Sequence, residues 1–400
     1  MKEYDIIIIG GGMVGSSLAC ALAESTARVA VIEAVPMQAP AQSSFDDRGL
    51  ALSLSSRKIL EAIGIWPDIS RHVCPIHAVH VSDRGHFGFM RLHARDFNME
   101  ALGYVAVARE LGKALMAGMS RHKNIDFICP ATTTTINIES ECVSLILESE
   151  GINKILNCKL LVAADGARSS TCMKLDIPVR SKDYGQTAIV ANVTSEKFHN
   201  YTAYERFTDS GPLALLPLTD QHCKMVFTVS TQETQKYLDL TDSEFLEQLQ
   251  LRFGRRLGRF TRIGNRSSYP LLLHEAEEQV RDRVLLAGNS AHTIHPHGAQ
   301  GLNLSLRDIA ALSSRLLPVL ENGGDPGNLN LLEQYVADRH QDQRRIIGFS
   351  DGLATLFYDQ HPFKVLARNT GMVMMDLFPV LKRKLLFLTL GVKGRLPVSA

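Results

Sequence analysis

Three histidines lie within six residues of one another in the segment GNSAHTIHPHGAQGLNLSLRD, positions 288–308. His292, His295 and His297 would suit a transition metal if a carboxylate completed the set. No acid occurs between Gly288 and Asn303, and the buried strand before the histidines ends in an amide. The segment therefore predicts no metal site. It favours a loop whose glycines let the backbone approach a flat, negatively charged ligand. Each histidine is expected to pack in the loop or to be exposed, rather than to act in catalysis.

A second chemical motif opens the chain. GGGMVG supplies Gly10-x-Gly12-x-x-Gly15 between an apolar run and a helical pattern, and Glu33 follows about twenty residues later. Such glycines allow a tight turn and the approach of a pyrophosphate to a helix N-terminus, while the acid accepts hydrogen bonds from a ribose. The motif predicts a dinucleotide site and leaves open whether the ligand is NAD or FAD.

Composition excludes several functions. The 43 basic and 42 acidic residues nearly cancel, so the chain lacks the basic field that nucleic-acid binding requires. Seven cysteines at irregular spacing fit reduced thiols. The sequence MKEYD leads directly into IIIIGGG without a signal-peptide pattern, so we expect a cytoplasmic protein.

Periodicity predicts the elements that position these motifs. YDIIIIG, MVGSSLACALAES and RVAVIEA form a βαβ pattern, and KLLVAADG and RVLLAG repeat the buried-strand pattern. HAVHVSDRGHFGFMRL (77–92) predicts a hairpin, and TAIVANV and KMVFTVS alternate as antiparallel strands do. We therefore expect an α/β fold with a Rossmann-like nucleotide-binding domain, an inserted antiparallel β-sheet domain for substrate and a helical C-terminus.

The C-terminal region is unusually apolar. MVMMDLFPVLKRKLLFLTLG contains Asp376, Pro379 and Lys382 to Lys384, which interrupt it before it reaches the length of a membrane span. A helix packed on the core is the favoured interpretation. A surface that contacts a membrane or a partner protein is the alternative.

Two further segments carry a family resemblance. LLVAADGARSS contains Asp165-Gly166 and Ser169, and RVLLAGN ends in Gly288-Asn289 before the histidine loop. Together with the glycine motif, in this order and spacing, they resemble the para-hydroxybenzoate-hydroxylase-like FAD monooxygenases over nearly the whole chain. The domain boundaries expected on this basis are an FAD-binding domain in three parts (1–76, 99–180 and 273–345), a substrate domain in two parts (77–98 and 181–272) and a C-terminal helical region (346–400).

Within that family the chain is most similar to the hydroxylases of ubiquinone biosynthesis. FDDRGLALS, HVSDRGHFGF, DYGQTAIVANV, YERFTDSGPLALLPL and HPHGAQGLNLSLRD carry the likeness. It implies bound FAD, NADH or NADPH as a transient reductant, and hydroxylation of a polyprenyl (methoxy)phenol by O₂ through a flavin hydroperoxide. It leaves open contact with other enzymes of ubiquinone biosynthesis, a peripheral position at the inner membrane and the oligomeric state.

The same likeness implies roles for individual residues. Arg48, Arg109 and Asp165 would line the flavin, and Asn289 would lie near the ribityl chain. A helix starting near Gly301 would direct its positive end at the pyrimidine edge of the ring. The pocket loop would comprise His295, Pro296 and Gly298, and the remaining cofactor contacts would come from Gly10, Gly12, Gly15, Glu33, Gly288, Pro296, Gly298, Gly301 and Asn303.

Several positions depart from the family pattern. Asn289 stands where an acid is usual, Cys172 replaces an arginine, and Gly298 comes one residue early in P-x-x-G-Q-G. Val107 and Ala108 replace Glu-Asn. These departures keep open a non-catalytic scaffold that binds FAD or a quinone precursor. A flavin dehydrogenase is a further alternative, whereas a halogenase is disfavoured because the chain has one tryptophan and no W-x-W-x-I-P segment.

Overall fold

The computed structural model describes residues 2–36, 39, 48–295, 297–359 and 361–391; the side chains of His297 and Tyr358 are outside this description. The strands of the described residues are β1 (Lys2–Ile9), β2 (Val29–Ile32), β3 (Gly49–Ser53), β4 (Val73–Ile76), β5 (Ala78–Asp83), β6 (Phe89–His93), β7 (Gly103–Val107), β8 (Ile125–Ile128), β9 (Thr132–Ile138), β10 (Val143–Ser149), β11 (Ile152–Ala163), β12 (Val179–Ser195), β13 (Thr202–Thr208), β14 (Gly211–Pro217), β15 (His222–Ser230), β16 (Phe260–Ile263), β17 (Ser267–Ala276), β18 (Val280–Arg281), β19 (Val284–Leu286) and β20 (His292–Thr293). The helices are α1 (Met13–Ala21), α2 (Leu54–Ala62), α3 (Trp66–Ile69), α4 (Ala108–Ser120), α5 (Ser170–Lys174), α6 (Thr234–Leu238), α7 (Asp242–Phe253), α8 (Gln300–Glu321), α9 (Leu329–Tyr358), α10 (Pro362–Leu377) and α11 (Pro379–Leu390).

A mainly parallel sheet forms the first layer. Its strand order is β18-β19-β11-β1-β2-β8, with β10 and β9 added on the β11 side. The isoleucines of β1 are buried on both faces, because α1, α4 and α8 pack on one side and β10 on the other. The predicted βαβ unit is confirmed, since β1 and β2 are parallel neighbours separated by α1.

A mainly antiparallel sheet forms the second layer, in which β13 and β5 run parallel. Its order is β20-β17-β12-β15-β14-β13-β5-β6, and β16 pairs with β12. The predicted hairpin is confirmed as β5 and β6, which pair antiparallel from Ala78 opposite His93 to Ser82 opposite Phe89. Alternate residues of the central strands pack against α7 in a separate hydrophobic core.

A third, smaller sheet of order β3-β7-β4 was not predicted from the sequence. It lies between the two large sheets in the core packing. Tyr104 and Ala106 of β7 face the core of the parallel sheet, whereas Val105 and Val107 face the side of the antiparallel sheet. The small sheet therefore forms part of the boundary at which a ligand shared by both halves would lie.

The predicted helical C-terminus is confirmed by α9, α10 and α11. The predicted boundary at residue 346 falls inside α9, which is continuous over 30 residues. The domain boundaries as a set stay a prediction. In the described residues, no helix combines the length and the apolar character that a bilayer span needs.

Candidate functional site

The glycine turn after β1 has the geometry of a phosphate-binding turn. Gly10 has φ +106°, and a Cβ there would lie 2.3 Å from the carbonyl oxygen of Ala164. A Cβ on Gly15 would lie 2.0 Å from the carbonyl oxygen of Gly10. Only glycine fits at either position. Gly12 is the N-cap of α1 and supplies no side chain, and the first turn of α1 contains no acid. The N–H groups at this helix end can therefore receive an anion.

Glu33 lies directly after β2 and beside this turn. Its side chain is buried, and its carboxylate accepts hydrogen bonds from the backbone N–H groups of Gly11 and Val35, both at 2.8 Å. A carboxylate has further lone pairs for ligand hydroxyl groups. The contacts therefore fix the acid next to the glycine turn, where its predicted role in ribose binding requires it.

Asp165 joins the ends of two neighbouring parallel strands. It accepts hydrogen bonds from the hydroxyls of Ser169 at 2.6 Å and of Ser290 at 3.0 Å, and from the N–H of Thr171 at 3.0 Å. These bonds connect the segment after β11 to the segment after β19. Much of the accepting capacity of Asp165 is thus used inside the protein, so its predicted contact with the flavin stays a prediction.

Gly288 and Asn289 follow β19 on the same edge of the sheet. Gly288 has φ +61°, and a Cβ there would come within 2.9 Å of the Val14 side chain on α1. The side chain of Asn289 is exposed, so it is accessible to a ligand. The structure therefore places Asn289 at the same sheet edge as Gly10 and Asp165.

The two predicted flavin-lining arginines lie on adjoining segments. The guanidinium of Arg48 stacks over the ring of Tyr269 at 5.2 Å, and its carbonyl accepts from the N–H of Ala108 at 2.8 Å. Arg109 lines a crevice of about 480 Å³ together with His72, His222 and Arg262, and the residues lining this crevice include no acid. Both arginines border the boundary between the sheets, and Arg109 also pairs with Glu110 at 3.5 Å.

Two of the three histidines, His292 and His295, have separate surroundings, and the side chain of His297 lies outside the described residues. His292 pairs through Nε2 with Asp308 at 2.9 Å, and the ring of His295 packs edge-on against Tyr184 at 4.8 Å. Arg339 also donates to Asp308. Burial alone would raise the pKa of Asp308, but its hydrogen bond with His292 and the charge of Arg339 lower that pKa below its usual value. Among the residues that the structure describes, no group of three or more His, Cys, Asp or Glu could hold a metal.

The pocket loop leads into α8 through two left-handed residues. Gly298 has φ +63° and Ala299 has φ +51°, and α8 begins at Gln300 beside the predicted Gly301. Ala299 occupies a conformation that side chains other than those of glycine, asparagine and aspartate rarely adopt. Pro296 lies outside the described residues. The first turn of α8 contains no acid, so its N–H groups suit a negatively charged edge of a ligand.

Asn303 connects this loop to β3. Its amide nitrogen donates to the carbonyls of Ala51 and Ala299 at 2.9 and 2.7 Å. Its amide oxygen accepts from the N–H of Ser53 and the hydroxyl of Ser56 at 2.8 and 2.6 Å. Both ends of the amide are thus used within the protein. Asn303 shapes the site by holding β3 against α8, and its predicted cofactor contact stays a prediction.

An apolar cavity of about 440 Å³ adjoins the loop and β3. Its walls come from β3, the β5–β6 hairpin, β13, the start of α8 and the three C-terminal helices. Apolar side chains dominate, and the polar groups at the wall are few. The residues that line it include Glu205, Phe207, Gln300, Asn303, Leu356, Phe357, Ala367, Arg368, Met375, Leu385 and Thr389.

Gln300 was not predicted as a site residue from the sequence, although it lies within the segment 288–308. Its side chain is buried, and Nε2 donates to the carbonyl of Gly298 at 2.9 Å. Within the described part of the chain, its buried Oε1 has no hydrogen-bond partner. A buried acceptor at the cavity wall favours a ligand that brings a hydroxyl or N–H donor.

A buried ion pair closes the far wall of the cavity. Arg368 of α10 donates from Nε to Asp83 of β5 at 2.8 Å, and both side chains are almost fully buried. Asn369 donates to the same carboxylate at 2.9 Å and accepts from the N–H of Gly88 at 2.7 Å. These residues hold α10 on the hairpin. No sequence pattern indicates this pairing, because its partners are 285 residues apart.

Comparison with known proteins shows the family to which the chain belongs. The model of a family described as "FAD binding domain" matches residues 3–350. The ubiquinone hydroxylase UbiL of Rhodospirillum rubrum is 35% identical over 382 residues, covering 96% of this chain and 88% of that protein. The 3-demethoxyubiquinol 3-hydroxylase of Escherichia coli is 28% identical, with 98% and 99% of the two chains covered.

A solved structure shares the fold. The p-nitrophenol 4-monooxygenase PnpA of Pseudomonas putida superposes with a TM-score of 0.82 at 20% identity, covering 99% of this chain and 100% of that one. The chain belongs to the FAD binding domain family, and its fold is that of the para-hydroxybenzoate-hydroxylase-like monooxygenases. It is an FAD-dependent monooxygenase of the hydroxylase type. This favours an enzyme over the non-catalytic scaffold that the sequence left open.

The residues present fit FAD. A Cβ at Gly10 or Gly15 would overlap a backbone oxygen, so only glycine fits there. The backbone at the N-terminus of α1 is therefore free of side chains and can receive a pyrophosphate. Glu33 is fixed beside that turn, and the start of α8 lies at the inner end of the boundary between the sheets. The donor groups and the charges required along an extended dinucleotide are therefore available.

Proposed function

We propose that the protein hydroxylates the aromatic ring of a polyprenyl (methoxy)phenol, an intermediate of ubiquinone biosynthesis, as a 2-polyprenyl-6-methoxyphenol hydroxylase does. The observation that carries the proposal is the apolar cavity of about 440 Å³ between the start of α8 and the C-terminal helices. A small polar phenol would not need walls of this character. The head of a prenylated phenol and the first part of its tail would lose little by leaving water there.

The curated relatives support the same substrate class. The names of two relatives that cover nearly this whole chain refer to ubiquinone or a ubiquinol. At 28% to 35% identity, such relatives leave the position on the ring and the tail length open. We propose a cytoplasmic enzyme that acts on a membrane-derived substrate.

Bound FAD supplies the redox chemistry, taking electrons from NADH or NADPH and activating O₂. The protein must hold it in place. We propose that Gly12 and the N–H groups at the N-terminus of α1 bind the pyrophosphate, and that Glu33 binds the ribose. Asn289, Gly288 and the segment from Gly298 to Gly301 would border the rest of the cofactor, with Arg48 and Arg109 beside it.

Gln300 is proposed to orient the phenol. Its buried Oε1 can accept a hydrogen bond from the phenol hydroxyl and so fix which edge of the ring faces the flavin side of the cavity. Glu205 of β13 also lines the cavity and offers a carboxylate as a second acceptor. An acceptor at the hydroxyl increases phenolate character, which makes the ring carbons more electron-rich.

The apolar walls are proposed to keep water away from the reacting groups. Phe357 of α9 and Phe207 of β13 stack in parallel beside the cavity, and Met375 and Leu385 cover another side. Excluding water favours transfer of oxygen to the ring over unproductive oxidation of NAD(P)H. The C-terminal helices would therefore affect coupling as well as substrate binding.

The test is product analysis with purified holoenzyme. The enzyme is incubated with NADH or NADPH, isotopically labelled O₂ and a short-tailed 2-polyprenyl phenol, with p-nitrophenol as the matched small phenol. We expect labelled oxygen on the ring of the prenylated phenol and a much lower kcat/KM for p-nitrophenol. Hydroxylated product without label, whose new oxygen therefore comes from water, or preference for the small phenol, would overturn the proposal.

A further inference from the structure

One face of α10 and the start of α11 exposes large apolar side chains. We define this outer face by its exposed members Phe363, Leu366, Met374, Leu377, Phe378, Val380 and Leu381. Phe363 is 78% exposed and Leu377 is 66% exposed. On α10 the members recur at helical spacing, so they form one stripe, in which Thr370 stands between Leu366 and Met374.

Packing of the fold does not account for this face. The opposite side of α10 carries the buried residues Arg368, Asn369 and Met372, which hold the helix on the β5–β6 hairpin. The helix is therefore anchored without its outer face. A contiguous patch of exposed large apolar residues marks a contact surface rather than a scatter of surface residues.

The charge around the outer face is positive. Residues 361–391 contain one acid, Asp376, and five basic side chains, of which Lys364, Arg368 and Lys382 are each paired with a carboxylate. That acid is paired with Arg91 and Lys382 and is only 9% exposed, whereas Arg383 and Lys384 are exposed next to the apolar stripe. Apolar side chains flanked by uncompensated basic ones complement a bilayer that contains anionic lipids.

The cavity opens at this same face. Ala367 and Leu356 both line the cavity and are exposed at the surface. Ala367 lies one helical turn from Phe363, in the line of the stripe. A ligand with a tail too long for about 440 Å³ would leave the cavity at this mouth and emerge onto the outer face.

We propose that the outer face docks on an anionic bilayer and that the cavity receives its substrate directly from the lipid phase. The proposal rests on the proposed function for the identity of the substrate. The apolar stripe would lie in the interfacial region of the bilayer, and Arg383 and Lys384 would contact lipid phosphates. The polyprenyl tail would remain in the bilayer while the phenol head enters the cavity.

Vesicle flotation with the FAD-loaded enzyme tests the docking step. The vesicles contain phosphatidylcholine with or without phosphatidylglycerol. The test variant is Phe363→Ser with Leu377→Ser, and the control is Ile152→Ser with Leu251→Ser, whose residues are 60% and 65% exposed on other elements. We expect wild type and control to float with anionic vesicles, at least tenfold weaker binding by the test variant, and weaker binding of wild type to neutral vesicles or at high salt.

Activity separates docking from chemistry. With a short-tailed phenol in buffer, wild type, control and test variant should have equal kcat/KM. With a long-tailed phenol in vesicles, the KM of the test variant alone should rise at least tenfold. Failure of wild type to float, or equal weakening of the control, would overturn the docking proposal.

Two further results distinguish the alternatives. Self-association of wild type in sedimentation velocity that the test variant loses, without vesicle binding, would assign the face to a second copy of the chain and overturn the proposal. Vesicle binding by wild type that hydroxylates no prenylated phenol would support docking and refute the proposed substrate.

Discussion

The dinucleotide half and the cavity half of the protein are held together in different ways. Around β1 and α1 the geometry depends on backbone: Gly10 and Gly15 are excluded from carrying a Cβ, and Glu33 is fixed by two N–H groups within 22 residues of chain. Around the cavity it depends on side chains from distant segments, such as Asp83 with Arg368. The geometry of the cofactor site therefore depends on local constraints, whereas the cavity walls depend on long-range pairs.

The largest expected effect comes from breaking the buried pair. Arg368→Met leaves the Asp83 carboxylate buried with one partner fewer, and loss of one partner of a buried pair costs about 3 to 5 kcal/mol. We expect α10 to detach from the hairpin, prenylated-phenol activity to be lost and FAD binding to persist. Hydrogen exchange measures whether α10 stays folded on the hairpin, and FAD titration measures cofactor affinity.

A second variant keeps this prediction testable. Arg368→Met combined with Asp83→Leu removes both charges, so much of the lost free energy of unfolding should return. If Arg368→Met lost FAD binding and the hydrogen-exchange protection of α10 to the same extent, the dinucleotide half would depend on the cavity half, which would contradict the prediction.

The reverse experiment disrupts the dinucleotide half. Glu33→Gln keeps the shape of the side chain but removes its charge and places a donor amide close to the N–H groups of Gly11 and Val35. We expect FAD affinity to fall by about 1.5 to 3 kcal/mol, roughly 10- to 100-fold. Glu61→Gln, at an exposed helix position, is the control. Undiminished flavin content in Glu33→Gln would argue against the ribose contact.

A pH-dependent effect should appear on the cavity half. Burial alone would raise the pKa of Asp376, but its hydrogen bonds from Arg91 and Lys382 lower that pKa to about 2. Because the folded pKa is depressed, the stabilisation is complete above the unfolded pKa of 3.8 and is lost as the pH falls through about 2. The difference in free energy of unfolding between wild type and Asp376→Asn should therefore shrink between pH 5 and the acid limit of folding. A constant difference would contradict the pairing.

A smaller effect is expected at Gln300. Gln300→Leu removes the buried acceptor while preserving the bulk of the side chain, so kcat/KM for the phenol should fall about 3- to 10-fold. More NAD(P)H should be consumed per product formed, and FAD affinity should hardly change. Thr389→Val at another part of the cavity wall is the matched control. Unchanged coupling in Gln300→Leu would exclude an orienting role.

The smallest effect is expected at Ala299. Replacing it by glycine relieves a left-handed conformation at φ +51° but adds freedom to the unfolded chain. The two terms leave a net stabilisation of roughly 0 to 1 kcal/mol. Thermal unfolding of wild type and Ala299→Gly, each with and without FAD, measures it. Clear destabilisation by glycine would show that the methyl group of Ala299 makes a contact that outweighs its strain.

Local patterns made the dinucleotide half predictable from the sequence. Gly10, Gly15 and Glu33 stand in one short motif whose spacing is dictated by a turn and a helix, and the start of α8 was expected within one residue of where it lies. The hairpin of β5 and β6 was visible because its alternation is short and continuous. Their environment is determined by residues close by in the chain.

The cavity half was less predictable because its contacts are non-local. Nothing near Arg368 indicates that Asp83 will neutralise it, and the apolar pattern of α10 does not indicate which residues line a cavity and which remain exposed. Asn303 was predicted as a cofactor contact, which stays a prediction, but its role in holding β3 was not foreseen. Gln300 was passed over because no described residue pairs with its Oε1, so nothing in the sequence pattern points to it.

The separation of Asp83 and Arg368 has a consequence for synthesis of the chain. The ribosome completes the hairpin long before α10, which supplies its partner 285 residues later. Until then the hairpin has an unpaired carboxylate and an uncovered apolar wall, and it must remain soluble while β12 to β17 and α8 are made. The cavity thus closes only once α10 has been made, after every strand of the dinucleotide sheet is already in place.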